Sequence, residues 1–115
     1  MTELESLREQ LRDFAAERDW DRFHSPKNLA MALAVEAGEL LETFQWLTED
    51  ETRSLAPETL AAASDEVADV LLYLIRLSDK LGIDMIAAAN RKLLANAGKY
   101  PADKARGNSK KYTEF

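Results

Sequence analysis

The chain has 115 residues, 46% of them hydrophobic and 31% charged, which is the size and composition of one soluble globular domain. No run of 18 apolar residues is present and no cysteine, so neither a membrane span nor a disulfide or thiolate metal site is expected. The net charge of −6 argues against general nucleic-acid binding, and the charged N-terminus lacks the apolar segment of a secretory signal. We therefore expect a cytoplasmic protein that binds neither membrane nor nucleic acid.

The first predicted helix begins at a capping box. Thr2 and Glu5 have the spacing of that motif, and the apolar stripe that follows them fades near Arg18. Residues 19–26, which contain the only histidine, His24, are expected to form a connector.

The second predicted helix begins at Ser25-Pro26, an N-cap followed by a first-turn proline. Its apolar periodicity runs to about Leu47. A polar stretch at residues 48–54 then separates it from the next helix.

Two further helices are expected. The third spans about residues 57–81, with Gly82 at its left-handed C-terminal position. Asp84 caps a fourth helix, which reaches about Ala97 and ends at Gly98. No useful β-alternation is present, so the pattern predicts an all-α bundle of four helices in a single domain, residues 1–115.

The C-terminal segment, residues 99–115, differs from the rest in charge. It sums to +3, whereas residues 1–98 sum to −9. It has too little apolar material for a helix of its own, so we expect a basic tail.

The third helix is unusually apolar. Residues 67–77 are apolar at nine of eleven positions, and such a helix must be covered on nearly all sides. The other helices of so short a chain cannot supply that cover. We therefore expect an obligate oligomer, at least a dimer.

Paired carboxylates are the main functional signal. Glu36 and Glu39 on the second helix, and Glu66 and Asp69 on the third, are each spaced i, i+3, which places each pair on one helical face. An acidic face in solvent is the ordinary explanation of such a pair.

Position favours a metal site instead. Glu36 is in register with the apolar stripe of its helix, and Asp69 lies inside the most apolar segment, where an unpaired carboxylate is costly. Two acidic pairs on adjacent helices would repel each other or take up protons unless a cation neutralised them, and hard oxygen ligands suit Mg²⁺. A di-iron oxidase would need Glu-x-x-His on two helices, and the one histidine lies outside both motifs.

These motifs carry a resemblance. The chain resembles the MazG-like all-α nucleotide pyrophosphohydrolases, and within them most the dCTP pyrophosphatase branch. The matching segments are residues 18–46 with Phe44-Gln45-Trp46, residues 65–75, and the tail with Lys111-Tyr112-Thr113.

The resemblance implies Mg²⁺-dependent hydrolysis between the α- and β-phosphates by a homotetramer built as a dimer of dimers. It implies that the metal ligands are Glu36, Glu39, Glu66 and Asp69. Independently of the resemblance, one of these or an adjacent carboxylate could accept the proton of water, and the candidates are Glu39 and then Glu36. The candidate substrate contacts are His24, Asn28, Trp46, Tyr73, Lys92, Asn96, Arg106, Lys110 and Lys111. From the residues alone, aromatic side chains at helical spacing are more often packing than base contacts, His24 could stabilise the connector, and the tail could be solvated.

Two other functions are considered. An enzyme with the same fold and metal could act on dUTP, phosphoribosyl-ATP or a non-canonical nucleotide, because the spacing of residues does not reveal the shape of the substrate pocket. A non-enzymatic helical oligomerisation module is the other alternative, but carboxylates placed in apolar helices disfavour it.

Overall fold

A computed structural model describes all 115 residues, and it contains helices and no strand, which confirms the predicted all-α class. No helix is both long enough and apolar enough to cross a membrane. The helices are α1 Glu3–Glu17, α2 Pro26–Phe44, α3 Glu49–Thr52, α4 Pro57–Leu81, α5 Met85–Lys99 and α6 Ala102–Ala105, with 3₁₀ turns at Asp21–Phe23 and Tyr112–Glu114.

The chain forms two compact units. The first, Met1–Gly82, contains α1 to α4, and the second, Ile83–Phe115, contains α5, α6 and the C-terminal 3₁₀ turn. The four predicted helices correspond to α1, α2, α4 and α5.

The predicted helix starts are confirmed. The Thr2 hydroxyl accepts a hydrogen bond from the Glu5 amide at 3.2 Å, and the Glu5 carboxylate accepts one from the Thr2 amide at 3.1 Å. The Ser25 hydroxyl likewise caps α2. At the end of α4, Gly82 adopts φ +67°, a conformation that residues with a Cβ rarely adopt.

The core of the first unit lies where α2 and α1 pack against α4. Leu29 of α2 and Ile75 of α4 are its fully buried large side chains. His24 contacts Arg76 at one end of this interface and Glu36 approaches Glu66 towards the other, so α2 and α4 run in opposite directions. Glu36 and Glu66 therefore face each other between two helices.

Two helix ends differ from the prediction, and one short helix was not predicted. Helix α2 ends at Phe44, and α3 forms inside the expected polar stretch because Thr48 and Glu51 make a second capping box. Helix α5 continues through Gly98 to Lys99, since a glycine without positive φ can stay helical.

The tail is also more structured than expected. Residues 99–115 form α6 and a 3₁₀ turn, although no helix was predicted there. The rings of Tyr112 and Phe115 pack edge-on against Tyr100, with centroids 6.0 and 5.8 Å away. These aromatic contacts supply the packing that a count of apolar residues did not anticipate.

Helix α4 leaves a row of apolar side chains uncovered. We call this row the α4 stripe; its members are between 38% and 58% exposed. They are spaced by three, four or seven residues and so share one helical face. The stripe consists of Leu60, Val67, Leu71, Leu74 and Leu81.

An ion pair joins α1 to α4. Arg12 donates through Nε and Nη2 to the two carboxylate oxygens of Asp79, at 2.7 and 2.5 Å. This bidentate bond holds the pKa of Asp79 below its usual range. The pair should therefore stabilise the fold above the pKa of an unfolded aspartate, and the stabilisation should vanish as pH falls through the lower folded value.

We expect Asp79→Asn to lower the free energy of unfolding by about 1 kcal/mol at pH 7, because Arg12 is half exposed and the pair is partly screened. Urea unfolding at pH 7 and pH 3 measures it, and the difference from wild type should shrink at pH 3. The control is Glu9→Gln, which removes the charge of a carboxylate that pairs on the surface with Arg8 and Arg12, and it should cost less. Equal losses at both pH values would contradict the assignment.

Candidate metal and nucleotide site

Three predicted metal ligands meet between α2 and α4. One carboxylate oxygen each from Glu36, Glu39 and Glu66 lies within 4.8 Å of the other two. Asp69 lies one turn beyond Glu66 on α4 and outside this tightest group, but it lines the neighbouring cavity. The i, i+3 spacing on each helix and the antiparallel packing together bring these acidic groups to one place.

Two of the carboxylate oxygens are buried without a partner. Oε2 of Glu36 and Oε2 of Glu66 have almost no exposed surface and accept no hydrogen bond. A buried polar atom without a partner costs about 1–3 kcal/mol, and more when it carries charge. Such a pair, beside the exposed carboxylate of Glu39, fits a divalent cation, which would supply the missing interaction.

The electrostatics of the cluster agree with this fit. Burial, followed by the nearby Glu66 and Glu39 carboxyls, raises the pKa of Glu36 to about 7. Burial also raises the pKa of Glu66. Both carboxyls therefore hold a proton more readily than an exposed glutamate does, because burial and the neighbouring carboxylates both disfavour the charged form.

A cavity of about 280 Å³ opens beside Asp69 among α1, the connector and α4. Two of the residues predicted to contact the substrate, His24 and Tyr73, line it, and Trp20 adds a second aromatic wall. Trp20 packs edge-on against His24, with ring centroids 6.5 Å apart. The cavity thus combines aromatic faces, one imidazole and one carboxylate.

Trp46 and Asn28 do not line this cavity. Trp46 lies just beyond the end of α2 and is 86% exposed. The side-chain amide of Asn28 donates to the Phe23 carbonyl at 3.0 Å, so it holds the connector against the start of α2. Their predicted contacts with the nucleotide therefore remain proposals.

The remaining predicted contacts lie in the second unit. Lys92 and Asn96 are on α5, Arg106 follows α6, and Lys110 and Lys111 precede the last 3₁₀ turn. The backbone amide of Lys110 donates to the Asn108 side chain at 3.0 Å.

Sequence reasoning missed Arg76. Its side chain is buried, lines the cavity and contacts both His24 and Asp21. A signal was present: Asp69 and Arg76 are the two exceptions in the apolar segment 67–77, and their spacing of seven places them on one face of α4.

Comparison with known proteins gives the family. The MazG-like family model matches residues 31–115. The human dCTP pyrophosphatase 1 is 45% identical over 97% of this chain and 67% of its own length, and the Mus musculus protein of that name is 42% identical over the same shares. A crystal structure of a pyrophosphatase from Archaeoglobus fulgidus superposes with a TM-score of 0.82 at 40% identity, covering 88% of this chain and 94% of that one. The chain therefore belongs to the MazG-like family.

Proposed function

We propose that this protein is a Mg²⁺-dependent nucleoside triphosphate pyrophosphohydrolase that converts dCTP and water to dCMP and pyrophosphate, as a house-cleaning enzyme of the nucleotide pool. The main observation in support is the cluster of Glu36, Glu39 and Glu66, in which two buried carboxylate oxygens have no hydrogen-bond partner. A cluster of this kind suits a cation that also binds phosphate oxygens.

The relatives support the reaction class and the base. The similar proteins from four mammals are 41–45% identical over 97% of this chain, and each is named dCTP pyrophosphatase 1. At this identity the class of activity, pyrophosphate-releasing nucleotide hydrolysis, carries over to this chain. The preference for dCTP is proposed on the same basis.

Four carboxylates would hold the metal: Glu36, Glu39, Glu66 and Asp69. When bound, Mg²⁺ supplies positive charge to phosphate oxygens and lowers the pKa of water. Asp69 lies on the same face of α4 as the cavity and follows Glu66 by one turn, so it connects the carboxylate cluster with the cavity.

The protein's own residues accept the proton from the attacking water. Glu39 is the exposed carboxylate of the cluster, so water can reach it, whereas Glu36 and Glu66 each have one oxygen sealed from solvent. We therefore assign Glu39 as general base, with Glu36 the second choice.

The base would occupy the cavity lined by His24, Tyr73 and Trp20. Its volume is close to the lower end for small-molecule pockets, which suits one pyrimidine ring. Aromatic faces can stack on the ring, and the imidazole can form a hydrogen bond. We propose Asn28 and Trp46 as outer contacts of the same nucleotide.

Basic residues of the second unit would bind the triphosphate. An acidic wall repels a polyanion, so cations must approach it from elsewhere. Arginine offers bidentate hydrogen bonds to phosphate, and lysine offers a point charge. The proposed contacts are Lys92, Asn96, Arg106, Lys110 and Lys111.

We propose that the working form is a homotetramer, a dimer of dimers, in the cytoplasm. The α4 stripe supports this, because contiguous apolar side chains on a single helix face are typical of an interface.

A nucleotide panel tests the substrate. Pyrophosphate release is measured from dCTP, dUTP and phosphoribosyl-ATP, each with and without Mg²⁺. We expect the highest kcat/KM with dCTP and no release without a divalent cation. Faster hydrolysis of dUTP or phosphoribosyl-ATP would transfer the proposal to that substrate.

A further inference from the structure

Arg76 is the most deeply buried charged residue of α4. It is 5% exposed, and its guanidinium reaches from α4 to the connector. One Nη atom donates to Asp21, another lies 3.6 Å from Asp79, and Nε donates to Nδ1 of His24 at 3.2 Å. Two hydrogen bonds and one ion pair therefore hold the guanidinium in this orientation.

This contact determines the tautomer of His24. An arginine in a protein is always protonated and offers only donors, so the imidazole nitrogen facing it must be the acceptor. The ring proton of neutral His24 then sits on Nε2. Burial, together with the charge of Arg76, lowers the pKa of His24, which keeps the ring neutral at pH 7.

Nε2 is the free end of this arrangement. It makes no hydrogen bond within the chain, and His24 lines the cavity beside Tyr73 and Trp20. Nε2–H is thus the hydrogen-bonding group of the ring that remains available to a ligand in the cavity. Had the proton been on Nδ1, the same position would present an acceptor.

We propose that Arg76 is a positioning residue that holds His24 as an Nε2–H donor to a ring acceptor of the nucleotide base. This inference rests on the proposed function, because it assigns the cavity to the base. Cytosine has acceptors at O2 and N3 and a donor at its amino group. A fixed N–H donor can form a hydrogen bond with O2 or N3 but not with the amino group, so it favours the acceptor edge of the ring.

The first test needs no substrate. His24 is the only histidine, so a long-range ¹H–¹⁵N spectrum of the ligand-free protein contains one imidazole. We expect the Nε2–H tautomer alone in wild type and a mixture of tautomers in Arg76→Met, which fills a similar volume without donors. The matched control is Lys80→Met, since Lys80 binds the same Asp21 carboxylate at 2.6 Å but not His24. Its spectrum should equal that of wild type.

The second test is kinetic. Arg76→Met should raise KM for dCTP about 3- to 10-fold with little change in kcat, the scale of one net hydrogen bond. In a His24→Phe background the same change should add nothing, because the residue that Arg76 positions is gone. Lys80→Met should leave KM unchanged.

The outcomes are separable. An Nδ1–H ring in wild type, or an unchanged spectrum in Arg76→Met, would overturn the proposal even if dCTP is the substrate. A fall in kcat with KM unchanged, or an additive loss in the His24→Phe background, would also overturn it. Should Arg76→Met fail to fold, the wild-type spectrum still decides the tautomer. If wild type releases no pyrophosphate from dCTP, the proposed function fails, while the spectrum still reports the contact.

Discussion

Glu66→Gln should reduce pyrophosphate release from dCTP at least 100-fold while raising the thermal stability of the metal-free protein. The loss of activity follows from removing one carboxylate of the metal cluster, since a bound cation contributes several kcal/mol to such a reaction. The gain in stability has a separate cause. The amide of glutamine carries no charge and can donate to Glu36, whose Oε2 is otherwise without a partner.

The sign of the stability change follows from the pKa of Glu36. Its folded value, about 7, exceeds that of an unfolded glutamate, so the folded state holds this proton more tightly. The stability that this provides is complete below the unfolded pKa and is lost as pH rises through 7. At pH 8 Glu36 is therefore mostly ionised in the metal-free wild type and is repelled by the neighbouring carboxylates. Glu66→Gln removes one of these charges.

Thermal unfolding at pH 8 in EDTA and in Mg²⁺ measures the stability of the metal-free protein and the stabilisation by bound metal. Wild type should gain several degrees with Mg²⁺, because a ligand at about 100 times its Kd stabilises by about 2.7 kcal/mol. Glu66→Gln should melt a few degrees higher than wild type in EDTA and gain little from Mg²⁺. The matched control is Asp65→Asn, an equal charge change at the adjacent exposed residue. A glutamine variant that keeps full activity would refute the metal assignment, and one that melts lower in EDTA would refute the repulsion between the Glu36 and Glu66 carboxylates.

Replacing Val67 and Leu74 together by arginine should dissociate the protein. Both belong to the α4 stripe, are 54% and 40% exposed, and lie two helical turns apart on one face. Burying two charges in an apolar interface without partners is strongly unfavourable. We expect the mass in solution to fall below four times 12.9 kDa, and activity to fall with it.

Light scattering coupled to size-exclusion chromatography measures this mass. Glu58→Arg is the control, because Glu58 is exposed on α4 but lies away from the stripe. It should leave the assembly intact. A wild type that elutes as a monomer, or a double variant of unchanged mass, would show that the stripe is not an interface.

Local sequence signals predicted most of the helices. Thr2, Ser25 and Gly82 each act on the backbone within a few residues, so their caps could be identified without knowledge of tertiary structure. The ends of α2 and α5 could not be placed this way. Gly98 is helical in the structure, and the aromatic contacts of Tyr100 that order the tail join residues more than ten positions apart.

The candidate site could likewise be predicted only in part from the sequence. The pairing of Glu36 with Glu39 and of Glu66 with Asp69 follows from helical periodicity alone. That Glu36 approaches Glu66 depends on the packing of α2 against α4, which spacing within one helix does not give. Arg76 was missed for a related reason: its importance comes from His24, 52 positions away along the chain.

Phosphorus NMR of dCTP incubated with the protein and Mg²⁺ tests the central claim most directly. Hydrolysis between the α- and β-phosphates predicts that dCMP and pyrophosphate appear together in equal amounts, and that neither appears when EDTA replaces Mg²⁺. Formation of dCDP and inorganic phosphate, or dCTP that stays intact with Mg²⁺ present, would contradict the account.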